Sequence, residues 1–225
     1  TMRRTMTDMD LTDRRAALFD QLLYNDLQDL CNQNGTFNLS KLATSGLLYR
    51  RPQWAVTLAG DHYKTRPYGG GEGKFGITKD KAMAYAFIMM SEGTPMVPYN
   101  DYFLGPYVSL SGNGWTGAPL TNEINQLAGV RRKFASGTTS YLSQSNTNDL
   151  FIMKRNGSST KPGCILVLND HLSATLSDSV NTGWISTNLV DALQTNIIVS
   201  TDGSGMATLS APARGYRVFV RQGDL

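Results

Sequence analysis

His62 is the side chain in this sequence whose type and position are best suited to chemistry. It closely follows a run of mostly apolar and β-branched residues, 54–59, which is bounded by Pro52 and Gly60. Such a run predicts a strand that is buried on both faces. An imidazole at the end of a buried strand can hydrogen-bond a polar ligand, although a lone histidine is as often a satisfied structural residue.

Asp61 and Tyr63 flank His62 and complete this candidate site. Because side chains alternate along a strand, those of Asp61 and His62 would point to opposite sides. The three residues therefore offer one imidazole, one carboxylate on the other side, and one phenol. They do not offer two carboxylates that face each other across a ligand.

A glycine cluster at residues 69–73 follows the same predicted strand. Glycines of this kind hold phosphate where they join a strand directly to the start of a helix, and such a loop continues with Gly-Lys-Ser or Gly-Lys-Thr. That continuation is missing here, so the cluster predicts an ordinary loop. We expect it at the carboxyl end of the strand, where barrel proteins carry their functional loops.

The composition is that of a globular protein with a substantial core, since 40% of the 225 residues are hydrophobic and 17% are charged. The formal net charge of +3 comes from 21 basic and 18 acidic residues spread along the chain. Scattered arginine pairs are more often solvated than part of a phosphate-binding stripe, so we expect no nucleic-acid partner. No apolar run approaches the roughly 20 residues of a membrane span, so we expect none.

Cys31 and Cys164 fall in different predicted elements, far apart in the sequence. We expect two buried, unpaired side chains rather than a disulfide. Asn34, Asn38 and Asn156 each begin an Asn-x-Ser/Thr triplet, which would accept a glycan in a secreted eukaryotic protein. Such triplets are frequent by chance and do not establish secretion.

Residues 17–133 alternate predicted strands and helices, after a polar arm at residues 1–16. Thr78 and Thr121 are suited to cap two of the helices, and the helix after Thr78 has one apolar face formed by alanine, tyrosine and methionine side chains. Alternation of this kind favours parallel βα units. The predicted strands cover 16–20, 54–59 and 94–99, and the predicted helices cover 22–31, 78–90 and 121–133.

Residues 134–225 contain only short strand signals, separated by Asn-Gly, Pro-Gly and Asp-Gly turns. No helix signal interrupts them, so we place a domain boundary near residue 134. The predicted strands cover 141–143, 149–153, 164–168, 189–191, 197–199, 207–209 and 216–220.

Several motifs occur in one order along the chain. Those of the first half are Trp-Ala-Val-Thr-Leu-Ala-Gly-Asp-His-Tyr-Lys-Thr at 54–65, Ala-Tyr-Ala-Phe-Ile at 84–88 and Gly-Thr-Pro-Met-Val-Pro-Tyr at 93–99. Those of the second half lie at 149–152, 161–171, 183–184 and 211–216. Together they resemble the last three βα units and the C-terminal β domain of an α-amylase-family glycoside hydrolase. The resemblance implies an α/β segment, a partial (β/α)8-type barrel at residues 17–133 with strands matching six to eight, and then an all-β, antiparallel sandwich-like domain at 134–225.

The resemblance also assigns the candidate site. His62 matches the histidine that contacts the sugar in this family, Asp61 stands where the family has asparagine, and Tyr63 stands where it has a catalytic aspartate. The family's other two catalytic carboxylates are expected on strands four and five, before residue 1. Hydrolysis of this kind needs a pair of carboxyl groups at the scissile bond. We therefore expect no catalytic residues in this chain, no cofactor and no metal.

Trp115 and Trp184 are candidate substrate-binding residues, together with His62, Asp61 and Tyr63. A flat apolar ring with a polar edge suits a sugar ring, although most single tryptophans serve packing. An α-glucan is accordingly the ligand that the resemblance implies. It also suggests an extracellular location.

We derive three hypotheses of function from these features. The first is a non-catalytic, α-amylase-derived protein with a structural or assembly role, existing as a homo-oligomer or filament or bound to a partner chain that completes the barrel. It follows because three barrel strands would leave two open edges and an uncovered inner face, with Val56, Leu58, Met96 and Val97 among its residues. The second is the C-terminal piece of a split or truncated α-amylase that hydrolyses α-1,4-glucans together with an N-terminal half. The third is a carbohydrate-binding module.

Overall fold

A computed structural model of the chain describes residues 16–60, 76–108, 115–143 and 148–225. The polar arm predicted for residues 1–16 lies outside this part apart from its last residue. The described helices are α1 (Gln21–Asn32), α2 (Gly46–Arg50), α3 (Lys81–Met90), α4 (Tyr99–Phe103) and α5 (Thr121–Lys133). The described strands are β1 (Leu18–Phe19), β2 (Ala55–Leu58), β3 (Thr94–Met96), β4 (Tyr107–Val108), β5 (Trp115–Thr116), β6 (Thr139–Tyr141), β7 (Leu150–Arg155), β8 (Cys164–Asn169), β9 (Leu176–Asn181), β10 (Asn188–Asp191), β11 (Ile198–Ser200), β12 (Met206–Ala211) and β13 (Gly215–Arg221).

The first three strands form a parallel sheet in the order β1-β2-β3. Leu18 pairs with Ala55, and Leu58 pairs with Met96. The connections run through α1 and α2 and then through α3, as the alternation of strand and helix predicts. Leu58 is 1% exposed, whereas Met96 is half-buried. The inner face is therefore less open than expected, because Leu58 belongs to the main hydrophobic cluster.

Asp20 joins the start of α1 to α2. Its carboxylate is fully buried and accepts hydrogen bonds from the N–H groups of Leu23, at 3.2 Å, and Leu48, at 2.7 Å. Gly46 has φ +61, and a Cβ at this position would lie 2.2 Å from Asp20 Oδ1. Only glycine allows the backbone to come this close to the carboxylate.

Helix α3 lies at the centre of the molecule. Nine of its ten residues are buried, because it packs on β2 and β3, on helices α1 and α5, and on β8 and β13 of the antiparallel half. The prediction of a single apolar face was therefore wrong, since the second half of the chain covers the opposite side. The predicted caps were also wrong: the residue before α3 is Asp80, and Thr121 Oγ1 donates a hydrogen bond to the Tyr102 carbonyl.

The second half contains a six-stranded antiparallel sheet in the order β11-β10-β13-β8-β7-β6, and β9 pairs with β12. All six residues of β8 are buried. Leu166 belongs to the main hydrophobic cluster, which contains the α3 residues, whereas Val167 belongs to a second cluster with Leu209 of β12. Alternate side chains thus serve two layers, which explains why β8 is a continuous apolar run. The predicted mixture of helices with antiparallel sheets is confirmed.

Two arginines, Arg155 and Arg214, connect the two halves, and a third, Arg131, binds carbonyls within the first half. Arg155 of β7 donates hydrogen bonds to the carbonyls of Met90, at 3.1 Å, and Ser91, at 2.7 Å. Arg131 of α5 binds the carbonyls of residues 89, 91 and 93 at 2.6–2.7 Å. Arg214 binds the Cys31 carbonyl at 2.7 Å and the carboxylates of residues 80 and 170. These bonds satisfy the carbonyls at the ends of α1 and α3, which have no partner within their helices.

Candidate functional site

The candidate site predicted from sequence begins where β2 ends. Asp61, His62 and Tyr63 all lie outside the described residues. Gly60, the last described residue before them, is buried at the carboxyl end of the parallel sheet. The structure therefore describes the strand that precedes the three residues but not the residues themselves. Their assigned roles remain predictions.

A buried group of charged and polar side chains lies at this end of the sheet. Lys81 of α3 and Asp101 of α4 are both 0% exposed, and their Nζ and Oδ1 atoms are 2.8 Å apart. Lys81 also donates to the Pro106 carbonyl at 3.0 Å. The hydroxyl of Tyr85 donates to Asp101 Oδ2 at 2.5 Å, and the side-chain amide of Asn100 donates to Oδ1 at 2.6 Å.

Burial sets the electrostatics of this group. It lowers the pKa of Lys81, a shift that the charge of Asp101 opposes. It raises the pKa of Asp101, a shift that Lys81 and the hydrogen bonds oppose. It also raises the pKa of Tyr85 well above its usual value, and the neighbouring Asp101 adds to this rise. A buried pair survives only when its geometry and hydrogen bonds offset the cost of desolvation, and this pair has both.

The buried group positions the chain rather than acting on a ligand. A Cβ at Gly60 would lie 3.2 Å from both Asp101 Oδ2 and Lys81 Nζ, and 3.0 Å from a ring carbon of Pro98. The backbone at Gly60 is therefore packed directly against the ion pair. Because Lys81 and Asp101 are fully buried and engaged with each other, their role is to fix the end of β2 and the start of α4.

Trp184 lies in the antiparallel half and is 8% exposed. Lys154 Nζ lies 4.5 Å from the centre of its ring, and the guanidinium carbon of Arg221 lies 5.8 Å from it. The ring belongs to the second hydrophobic cluster. Little of its face is free to stack on a sugar in this conformation, and the observed contacts are those of packing and cation–π interaction.

The structure does not bring the other tryptophan candidate into the same group. Trp115 belongs to β5, which pairs with β4 in a short separate ribbon, and its side chain is not described. Its role as a sugar platform stays a prediction. His171 forms loop hydrogen bonds, with its Nδ1 accepting from the N–H groups of Ser173 and Ala174 at 3.2 and 2.9 Å.

The two cysteines are buried and unpaired, as predicted. Burial raises the pKa of each thiol to about 12, so neither forms a reactive thiolate near neutral pH. Within the described ranges, no group of three histidine, cysteine, aspartate or glutamate side chains could hold a metal ion. None of the described helices is both long and apolar enough to span a membrane.

Sequence reasoning missed the buried group around Asp101. One signal was available, since Lys81 is the charged residue that opens an otherwise apolar helix and Tyr85 follows it by one turn. Asp101 is 20 residues away in a different element. No local pattern connects it to Lys81.

The fold just described matches part of the fold of α-amylases. It superposes with a TM-score of 0.65 on an α-amylase from Malbranchea cinnamomea, at 15% identity, covering 90% of this chain and 45% of that one. For an Anoxybacillus α-amylase the TM-score is 0.66 at 15% identity, with 91% and 47% covered. A γ-CGTase from alkalophilic Bacillus clarkii gives 0.62 at 19% identity, with 88% and 31% covered.

A sequence relationship accompanies the common fold. The chain is 27% identical over 172 residues to the cytoplasmic α-amylase of Escherichia coli strain K12, a match that covers 74% of this chain and 34% of that protein. No protein-family model matches the chain. The predicted resemblance to the C-terminal portion of an α-amylase is confirmed, and the chain spans about a third of the curated relative that it matches.

Proposed function

We propose that this chain is a non-catalytic, α-amylase-derived protein whose role is structural and depends on association along its parallel sheet. In this proposal, β1, β2 and β3 correspond to strands six, seven and eight of a (β/α)8 barrel. Residues 17–133 then form the partial barrel, and residues 134–225 form the C-terminal β domain.

One observation carries the proposal: each outer strand of the parallel sheet has a partner strand on one side only, among the strands that the structure describes. Among the described strands, β1 and β3 both pair with β2 and with no other strand. A strand edge of this kind exposes backbone donors and acceptors to which another strand can be added. A closed barrel has no such edges.

Exposed apolar side chains adjoin both outer strands. Phe19 of β1 is 50% exposed and Leu22 of α1 is 59% exposed. Tyr99 and Phe103, which follow β3, are 68% and 57% exposed. Covering such a surface would favour association by roughly 25 cal/mol for each Å² of apolar area removed from water. The proposed occupant is a barrel-completing surface, from a second copy or a partner chain.

Sedimentation of the purified chain across a wide dilution series tests the association. We expect the sedimentation coefficient to rise with concentration, because association removes the open edges. Phe19→Lys should move the midpoint at least about tenfold towards higher concentration, since a charge on an edge strand opposes strand addition. Leu172→Lys, at a 62% exposed position in the antiparallel half, is the matched control. A compact monomer at every concentration would overturn the proposal.

Tyr63 motivates the non-catalytic part of the proposal. It occupies the position of an aspartate that stabilises the charged transition state in the family that the sequence resembles, and such a loss costs several powers of ten in rate. Tyr63 lies inside the chain, so the carboxylate is lost at this position whether or not the 225 residues are part of a longer polypeptide.

Release of reducing sugar from soluble starch and from a chromogenic maltoside, across a broad pH range, tests this part. We expect none from the native chain, because a phenol cannot replace the carboxylate. Turnover that Asp61→Asn abolishes would overturn the proposal and would mean that Asp61 acts as the missing carboxylate. As the control, we expect Asp61→Asn to release no reducing sugar, like the native chain.

The second candidate is the C-terminal piece of an α-amylase that acts on α-1,4-glucans with an N-terminal half. It is favoured by the structural match, which extends over 90% of this chain and therefore includes both of its halves. The mass of the native particle separates the two candidates. A particle that contains a second, larger chain with amylase-like sequence would favour the second, whereas copies of this chain alone would favour the first.

A further inference from the structure

A small pocket lies at the opposite end of the parallel sheet from Gly60, where the two halves meet. Its volume is about 210 Å³. Pro52 shortly precedes β2 and Glu92 shortly precedes β3, so the pocket lies at the amino ends of these strands. We call it the tyrosine pocket. Its lining includes Tyr49, Pro52, Ser91, Glu92, Tyr141 and Met153.

Two tyrosine rings, one from each half, line the tyrosine pocket. Tyr49 of α2 is 54% exposed and Tyr141 of β6 is 44% exposed. The ring of Phe151 lies 5.6 Å from that of Tyr141, between centroids, and supports it from behind. Pro52 and Met153 add apolar surface. The lining of the pocket therefore combines two part-exposed tyrosines with apolar surface.

Glu92 supplies a carboxylate that is already held in place. Its Oε1 accepts a hydrogen bond from the Thr139 N–H at 2.7 Å. It also opposes the fall in pKa that burial causes at Arg155, so the carboxylate is within electrostatic reach of that guanidinium. Burial raises the pKa of Tyr141, and the nearby carboxylate of Glu92 raises it further. Glu92, Tyr49 and Tyr141 therefore surround one space.

We propose that the tyrosine pocket binds one neutral pyranose ring of an oligosaccharide. Its volume is below the roughly 300–1,000 Å³ of sites for drug-sized ligands, which suits one ring rather than several. The tyrosine faces would contact the apolar face of the sugar, and Glu92 and the phenol hydroxyls would bind its hydroxyl groups. The choice of an α-1,4-glucan as the first probe rests on the proposed descent from an α-amylase, whereas the pocket itself does not.

The charges of the pocket select against other small ligands. A carboxylate in the lining opposes binding of an anion. A cation would be favoured by an uncompensated carboxylate between aromatic rings, but Arg155 and the Thr139 N–H already interact with Glu92. A neutral ligand with many hydroxyl groups fits this compensated charge best.

Titration calorimetry with maltotriose on the full chain tests the proposal. We expect saturable binding in the native chain and at least about tenfold weaker binding in Tyr49→Ala, because a stacking face is lost. Leu172→Ala is the control, since Leu172 is 62% exposed and lies outside the pocket and away from the outer strands of the parallel sheet. Tyr141→Phe keeps the ring that packs on Phe151 and should weaken binding by removing only the hydroxyl group.

Further probes separate the outcomes. Absence of binding for both maltotriose and cellotriose, or binding that Tyr49→Ala does not change, would overturn the proposal. Binding of tetramethylammonium that Glu92→Gln abolishes, without any sugar binding, would also overturn it in favour of a cation site. Binding of cellotriose alone would support the pocket but not the choice of α-glucan. Sedimentation of Tyr49→Ala should match that of the native chain, so failure of this proposal is distinguishable from failure of the association.

Discussion

Asp101 in the first half and Asp191 in the antiparallel half are both buried carboxylates, but they have different partners. Asp101 is in contact with the fully buried ammonium group of Lys81. Asp191 is 1% exposed and accepts hydrogen bonds from the N–H groups of Leu193, at 3.0 Å, and Val218, at 3.4 Å. Its charged neighbour, Arg217, is 3.7 Å away and part-exposed.

This difference shows two ways in which the molecule tolerates a buried carboxylate. At Asp101, neutralising one partner leaves the other charge buried and unpaired, so the two depend on each other. At Asp191, backbone N–H groups hold the carboxylate and Arg217 retains access to solvent. The end of the parallel sheet that leads to residues 61–63 is thus held by an interdependent pair. Asp191 of the antiparallel sheet, in contrast, is buried without such a pair.

Asp101→Asn should give the largest effect, because it leaves Lys81 buried without its counter-charge. We expect the free energy of unfolding to fall by about 3–5 kcal/mol, measured by urea denaturation. Asp224→Asn is the matched control: it neutralises the carboxylate of a more exposed pair with Arg221, at 2.7 Å, and should cost less than about 1 kcal/mol. Equal losses in the two variants would mean that the buried pair has no special role.

The mixture of helices with antiparallel sheets was predicted from the sequence because the signals for it are local. The apolar period of the helices and the glycine turns between short strands are visible over ten to fifteen residues. The helix that was predicted to start at Thr78 is present, but its first residue is Lys81. Asp80 takes φ +49 and contacts Arg214. The two residues are 134 positions apart in the sequence, so no local pattern could indicate their contact.

Strand β9 was missed for a physical reason. Its sequence, Leu-Ser-Asp-Ser-Val-Asn, alternates inward and outward, but one of its inward residues is Asp178. A polar residue at a buried position conceals the period of two on which strand prediction depends. The tyrosine pocket was missed because Tyr49 and Tyr141 come from different halves of the chain. The assignment of His62, Asp61 and Tyr63 stays a prediction from sequence.

Gly46→Ala should give the next largest effect. The added Cβ would lie 2.2 Å from the buried carboxylate of Asp20, at φ +61. Backbone strain and overpacking together should cost about 2–4 kcal/mol in the free energy of unfolding. Gly129→Ala is the matched control, since nothing lies within 4 Å of its Cβ position and it is inside α5. That variant should gain about 0.5–1 kcal/mol; a loss there equal to the loss at Gly46 would contradict the steric explanation.

Arg131→Lys tests how Arg131 of α5 holds the end of α3 and the residues that follow it. A lysine keeps the charge but cannot bind the carbonyls of Met89, Ser91 and Gly93 together, as the planar guanidinium does. We expect a loss of about 1–3 kcal/mol in thermal or urea unfolding. The neighbouring exposed Arg132 provides the control, and Arg132→Lys should stay within about 0.5 kcal/mol of the native chain. Similar losses at both positions would show that stability does not depend on the hydrogen bonds between Arg131 and the carbonyls at the end of α3.

The smallest effect concerns the dependence of stability on pH in the antiparallel half. Burial raises the pKa of Asp191, and the N–H groups of Leu193 and Val218 oppose that rise. Between the unfolded and the folded pKa, the folded state therefore binds more protons, and the free energy of unfolding falls as pH rises. Asparagine does not titrate, so the stability of Asp191→Asn relative to the native chain should increase from about pH 4 upwards and level off above the folded pKa.

Asp202 is the control of opposite sign, because the hydroxyl of Ser204 and nearby N–H groups lower its pKa. The stability of Asp202→Asn relative to the native chain should decrease with rising pH over the range just below pH 4. Parallel pH profiles for the two variants would contradict the assignment of a desolvated carboxylate at Asp191 and a hydrogen-bonded one at Asp202.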